Sequence, residues 1–223
     1  MNKLNYTGWN DFFKDKSFTL FRTSLIQKRY IDTIYNYAIS CGHPAKILEV
    51  AGGSGYTSAI IADLLKNYNT RVIYSDLEPT LVKIVKNNFE SIKNLSFVVA
   101  DSNKLPFDNN FFDILIHQGF LEHFTDEEII IFLKEQARIT KYIIFDVPNS
   151  RRNTKVQEFG NERFPSVNKW FSLIRKAELK IYYYTGRRFT NWWKKYVPIT
   201  MVESAWFNKY FGESTIIVCG RSC

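Results

Sequence analysis

Cysteine is scarce in this chain: Cys41, Cys219 and Cys223 are the only three in 223 residues, an odd number without C-x-x-C spacing. A disulfide framework is not indicated, and reduced, structural thiols are expected. Long apolar runs are missing too. No stretch approaches the roughly 18 residues that a transmembrane helix needs, so none is expected. The opening segment, MNKLNYTGWNDFFKDKSF, has no continuous apolar core of the signal-peptide kind, and a cytoplasmic location is the expectation. Internal repeats and low-complexity tracts are likewise absent, and nothing in the residue pattern calls for a metal.

What is present fits one α/β domain with added elements. Hydrophobic residues make up 45% and charged residues 23%, ordinary for a globular chain, while aromatics reach 17%. The net charge of +8 is regional: residues 151–195 hold 12 Lys/Arg against 3 Asp/Glu. A local positive field suits an acidic substrate, an anionic surface or nucleic acid, and equally a solvated face that keeps the protein soluble.

Residues 24–40 place Leu25, Tyr30, Ile34, Tyr37 and Ala38 near one helical face, and Gly42 and Pro44 supply a stop. Strand-like and helix-like segments then alternate: strand 46–51, helix 56–67, strand 71–75, helix 79–90, strands 95–100 and 112–117, helix 126–139 and strand 142–147. Such alternation predicts a doubly wound, Rossmann-like, mainly parallel sheet with helices on both faces. Pro79 suits a first helical turn, and Thr125 with Glu128 reads as a capping box. A helix over 166–177 and strands over 178–184 and 214–220 complete the pattern. The expected organisation is a single domain over 1–223: a helical cap at 1–44, a core at 45–150, basic and aromatic insertions at 151–213, and a last strand at 214–223.

The first strand ends in Glu49-Val50-Ala51-Gly52-Gly53-Ser54-Gly55 and runs into a helix. Glycines there allow a tight turn and close approach of the backbone to a bound molecule. The second strand ends in Asp76, 23 residues beyond Gly53, where a βαβ unit sets an acid beside a ribose. Further strand ends carry Asp101 and His117-Gln118-Gly119. In open parallel sheets ligands bind beyond such ends, although any one acid could instead cap a neighbouring helix. A nicotinamide fingerprint would need a third glycine in G-x-G-x-x-G, and Tyr56-Thr57-Ser58 does not supply it.

Taken together, EVAGGSG, YSDLEP and ADSNKLPFDNNFFDILIHQGFLEHF resemble the ordered motifs of class I S-adenosylmethionine-dependent methyltransferases, in particular the type 11/12 group. The resemblance covers roughly residues 45–150. It implies a seven-stranded sheet with an antiparallel last strand, S-adenosyl-L-methionine as cofactor, and no metal. It assigns cofactor contact to Glu49, Ala51, Gly52, Gly53, Gly55, Asp76, Leu77, Asp101, Ser102, His117 and Gln118. Asp76 would bind the ribose hydroxyls, Leu77 would pack on adenine and Asp101 would lie on the adenine side. Ala51 stands where the family has its first glycine; its methyl is tolerable if φ is negative. His117-Gln118 replaces a more common Ser-Asn, and His117 could serve as a general base or be a strand-end residue bonded to backbone. His123 is expected to hold the loop before Thr125.

The acceptor is expected to be a small molecule, aromatic or acidic or both. Arg151, Arg152, Arg163, Arg187 and Arg188 flank Phe189, Trp192, Trp193, Tyr196, Trp206, Phe207, Tyr210 and Phe211, which would either wall the acceptor or pack as core. The same mixture suits nucleic acid, but no polar pair of the Asn-Pro-Pro-Tyr kind follows the fourth strand. Trp192 and Trp193 with two lysines would also suit a membrane surface. A non-catalytic cofactor-binding protein is a further alternative, supported by Ala51 alone. Oligomeric state is not legible.

Overall fold

A computed structural model describes residues 27–151, 161–187 and 212–222. The N-terminal part of the expected cap, Cys223, Arg152, and the aromatic stretch from Phe189 to Phe211 with Arg188, Trp192 and Trp193 lie outside the described residues. Seven strands form one sheet in the order β3-β2-β1-β4-β5-β7-β6. The chain divides into two compact units, one reaching Ile116 and the other beginning at His117.

The first unit contains α1 (Lys28–Ser40), β1 (Lys46–Glu49), α2 (Tyr56–Leu64), β2 (Arg71–Asp76), α3 (Pro79–Phe89), β3 (Leu95–Val99) and most of β4 (Phe112–Gln118). β1 runs parallel to β2 and β4, and β2 parallel to β3. Ile47, Leu48 and Ile114 to Ile116 are fully buried, as strands covered on both faces require. The α1 helix buries Tyr30, Ile31, Ile34 and Ala38, so Ile31 takes the place expected for Tyr37. Two predicted elements end early. β1 stops at Glu49 because Ala51 adopts φ +50°, and α2 stops at Leu64, followed by a 3-10 turn over Lys66–Tyr68 that closes on left-handed Asn69. Pro79 begins α3 as expected, and the Glu78 carboxylate caps it by accepting from the Thr80 amide at 3.1 Å.

The second unit contains α4 (Asp126–Ile139), β5 (Thr140–Pro148), α5 (Val167–Lys176), β6 (Lys180–Arg187) and β7 (Ser214–Gly220). β7 is antiparallel to both β5 and β6, and every residue of it is buried. The predicted capping box is complete: the Glu128 amide donates to Thr125 Oγ1 at 3.3 Å and the Thr125 amide to Glu128 Oε2 at 2.9 Å. Trp170 anchors α5, its indole N–H donating to the Pro148 carbonyl at 2.9 Å. β6 starts at Lys180, two residues later than expected, because Glu178 turns the chain with φ +63°.

Candidate functional site

The glycine turn after β1 is held by its neighbouring strand. Three consecutive residues of β2 grip it: the Tyr74 hydroxyl donates to the Gly53 carbonyl at 2.8 Å, the Ser75 carbonyl accepts from the Gly52 amide at 3.0 Å, and Asp76 Oδ2 accepts from the Gly53 amide at 3.1 Å. The Ser75 hydroxyl adds a bond to the Glu49 carbonyl at 2.7 Å. Tyr74 and Ser75, which hold the turn, are residues that sequence reasoning passed over. Period-two alternation from Asp76 would have put Tyr74 on the acid's side of the strand.

Two of the glycines are also required by packing within the protein. A Cβ on Gly52 would lie 2.4 Å from the Tyr74 ring and 3.2 Å from Glu49 Oε2, and one on Gly55 would lie 2.2 Å from Val85 Cγ1. At both positions the protein's own atoms leave no room for a Cβ. Gly55 also needs its φ of +72° to start α2. At Ala51 the condition for a tolerable methyl, a negative φ, is not met; +50° is a left-handed conformation, disfavoured for a residue with a Cβ.

Glu49 is buried, 3% exposed, and its Oε2 accepts from the Ser58 amide at 3.1 Å and from the Ser58 hydroxyl. Burial pushes its pKa up to about 7, opposed by the Ser58 bonds. It serves the turn and the start of α2 from beneath. Asp76 is half-buried, with Oδ1 accepting from the Glu78 amide at 3.1 Å and Oδ2 from Gly53. Burial raises its pKa and the backbone amides of Glu78, Gly53 and Leu77 lower it. Beside it Leu77 is 42% exposed, a large apolar side chain left in the open. A carboxylate fixed by two amides, with lone pairs to spare and an apolar shelf next to it, suits a vicinal diol under a flat ring.

Asp101 is exposed and forms an Asx turn, its Oδ1 accepting from the Asn103 amide at 2.8 Å; Ser102 within that turn is half-buried. The following Leu105 is core, and Phe107 meets Phe112 edge to face at 4.8 Å. Asp113 accepts from the Lys46 amide at 2.9 Å, a structural bond.

His117 is 0% exposed, stacked on Phe145 at 5.0 Å and 11°, edge-on to Phe120 at 5.4 Å. Burial lowers its pKa to about 3, opposed by a hydrogen bond with Gln136. That is a packed, neutral imidazole, and the general-base expectation does not fit it. Gln118 is half-buried, its Nε2 donating to Asp146 Oδ2 at 2.7 Å. His123 Nδ1 pairs with Asn161 Oδ1 at 2.8 Å, tying the loop before Thr125 to the segment that carries Arg163. Arg163, expected to flank an acceptor, is occupied: it donates to the Phe124 carbonyl and to Asp126 Oδ1 at 2.5 Å, while Lys169 pairs with Asp126 Oδ2 at 2.5 Å. These bonds lower the pKa of Asp126.

Residues 47–142 match the family model described as a methyltransferase domain. Among curated proteins, the ubiquinone/menaquinone biosynthesis C-methyltransferase UbiE of Shewanella baltica is 28% identical over 111 residues, covering 48% of this chain and 43% of that relative. The protein of the same name from Idiomarina loihiensis is 27% identical over 140 residues, covering 55% and 53%. The chain thus spans about half the length of the curated relatives it matches. Among solved structures, magnesium protoporphyrin IX methyltransferase from Synechocystis PCC 6803 with bound SAH superposes with a TM-score of 0.66 at 12% identity, covering 99% and 96% of the two chains. A SAM-dependent methyltransferase from Aquifex aeolicus gives 0.64 at 14% identity, covering 97% and 98%. These structural likenesses are likenesses of fold.

Proposed function

We propose, on the premise that residues 47–142 are a methyltransferase domain of the class I, S-adenosylmethionine-dependent kind, that the chain transfers a methyl group to a small organic acceptor. The observation that carries this reading is Asp76, a carboxylate set by the Gly53 and Glu78 amides next to exposed Leu77. In this reading Asp76 accepts hydrogen bonds from the ribose hydroxyls, Leu77 packs on the adenine, and the gripped turn carries the rest of the cofactor. S-adenosylmethionine supplies an electrophilic methyl on sulfur, so the protein's task is to bind, align and exclude water. No base at His117 enters the scheme.

A small, aromatic or acidic acceptor is favoured because the similar proteins are named for quinone biosynthesis and for a porphyrin. Calorimetry with S-adenosylhomocysteine is the first test: wild type binds, and Asp76→Ala weakens binding by at least about tenfold, from loss of charge-assisted hydrogen bonds. No binding by the wild type would overturn the reading. Radiolabelled methyl transfer to extracted small molecules should then succeed; label entering RNA, lipid or protein instead would refute the acceptor class.

A further inference from the structure

Tyr74 is wholly buried, 0% exposed, with its ring under Gly52 and 6.1 Å from Phe97. Phenylalanine would fill that volume equally well, so packing leaves the hydroxyl unexplained. The hydroxyl donates to the carbonyl of Gly53, and the amide of the same residue donates to Asp76 Oδ2. Gly53 is buried, with φ +52°, and both of its backbone polar groups are therefore held by β2.

We propose that Tyr74 is a positioning residue for the cofactor: through Gly53 it sets the orientation in which Asp76 meets the ribose. The proposal rests on the reading of this turn as an S-adenosylmethionine site. Tyr74 touches no reacting atom in this scheme and acts only through the Gly53 peptide. Without the hydroxyl, the Gly53 carbonyl loses its buried donor, the peptide can rotate, and the amide no longer fixes Asp76 Oδ2. Burial pushes the Tyr74 pKa far up, with Asp76 and Glu49 adding to it, so the hydroxyl remains a donor at every working pH.

The test is a double-mutant cycle on S-adenosylhomocysteine affinity with Tyr74→Phe, Asp76→Asn and both, each first checked for an intact cooperative melt. Tyr74→Phe should raise Kd about fivefold to tenfold, and by less than about twofold when Asp76→Asn is already present, the non-additivity expected of groups in one network. Hydrogen exchange of the Gly53 amide in ligand-free protein should quicken in Tyr74→Phe by about tenfold, since local opening becomes easier. A Kd unchanged by Tyr74→Phe, an equal loss in both backgrounds, or unaltered Gly53 exchange would overturn the proposal and leave the cofactor assignment standing. Failure of the wild type to bind would instead remove the cofactor assignment, and this role with it.

Discussion

A Cβ built on Gly52 would fall 2.4 Å from Cε2 of Tyr74, inside any allowed contact. The ring cannot retreat easily, because its hydroxyl is bonded to Gly53. Gly52→Ala should therefore cost about 1–3 kcal/mol, the range for overpacking a filled interior. Denaturant unfolding would measure it; a change below about 0.5 kcal/mol would mean that the ring yields freely.

Ala51 has the opposite expectation. At φ +50° its methyl group is a liability, and Ala51→Gly should raise stability by about 1 kcal/mol even after the larger entropy of an unfolded glycine is counted. Thermal melting of the pair decides the sign.

Glu49 gives stability a pH dependence of unusual direction. Its folded pKa of about 7 lies above the ordinary carboxylate value of 4.5, so between these pH values the folded state binds more protons than the unfolded one. Its contribution is complete below the lower value and is lost as pH rises through the higher. The slope at its steepest is about 1.4 kcal/mol per pH unit. Glu49→Gln, which keeps an acceptor for Ser58, should flatten that segment and be the more stable protein at pH 8. Parallel curves for the two proteins would refute the burial argument.

His117 acts in the other direction. With its pKa lowered to about 3, it opposes folding as the medium is acidified below the ordinary imidazole value of 6.5, where the unfolded imidazole takes up a proton first. Its ring resonances should not titrate between pH 5 and 8. His117→Ala should cost about 2–4 kcal/mol by leaving a hole against Phe145 and Phe120, as large-to-small core changes do. Titration near neutrality in the native protein would restore the base.

The strand and helix order was legible because its signals are local: capping residues, proline position and alternation repeat within a few residues of where they act. The position of Asp76 at the end of β2, bonded to the glycine turn, was legible for a related reason, since a βαβ unit fixes the distance from turn to acid. The packing around Gly52, Gly55 and His117 and the pairing of Arg163 were not. Each depends on a side chain distant in sequence: Tyr74, Val85, Phe145 and Asp126 respectively. Glycine adjacent to a presumed ligand and glycine adjacent to a buried ring read alike in one dimension. Arg163 likewise reads as available for an anion, but the carboxylate of Asp126, at the start of the preceding helix α4, holds it.

Because β2 grips the turn at three successive residues, the shape of the turn is set by the protein itself. On the proposed reading, a cofactor docking there has little backbone to immobilise and loses little affinity to ordering. Selection among related nucleosides then becomes a matter of fit to a mould. A ligand lacking the ribose diol gains nothing from induced adjustment, and should be rejected outright instead of being accommodated weakly.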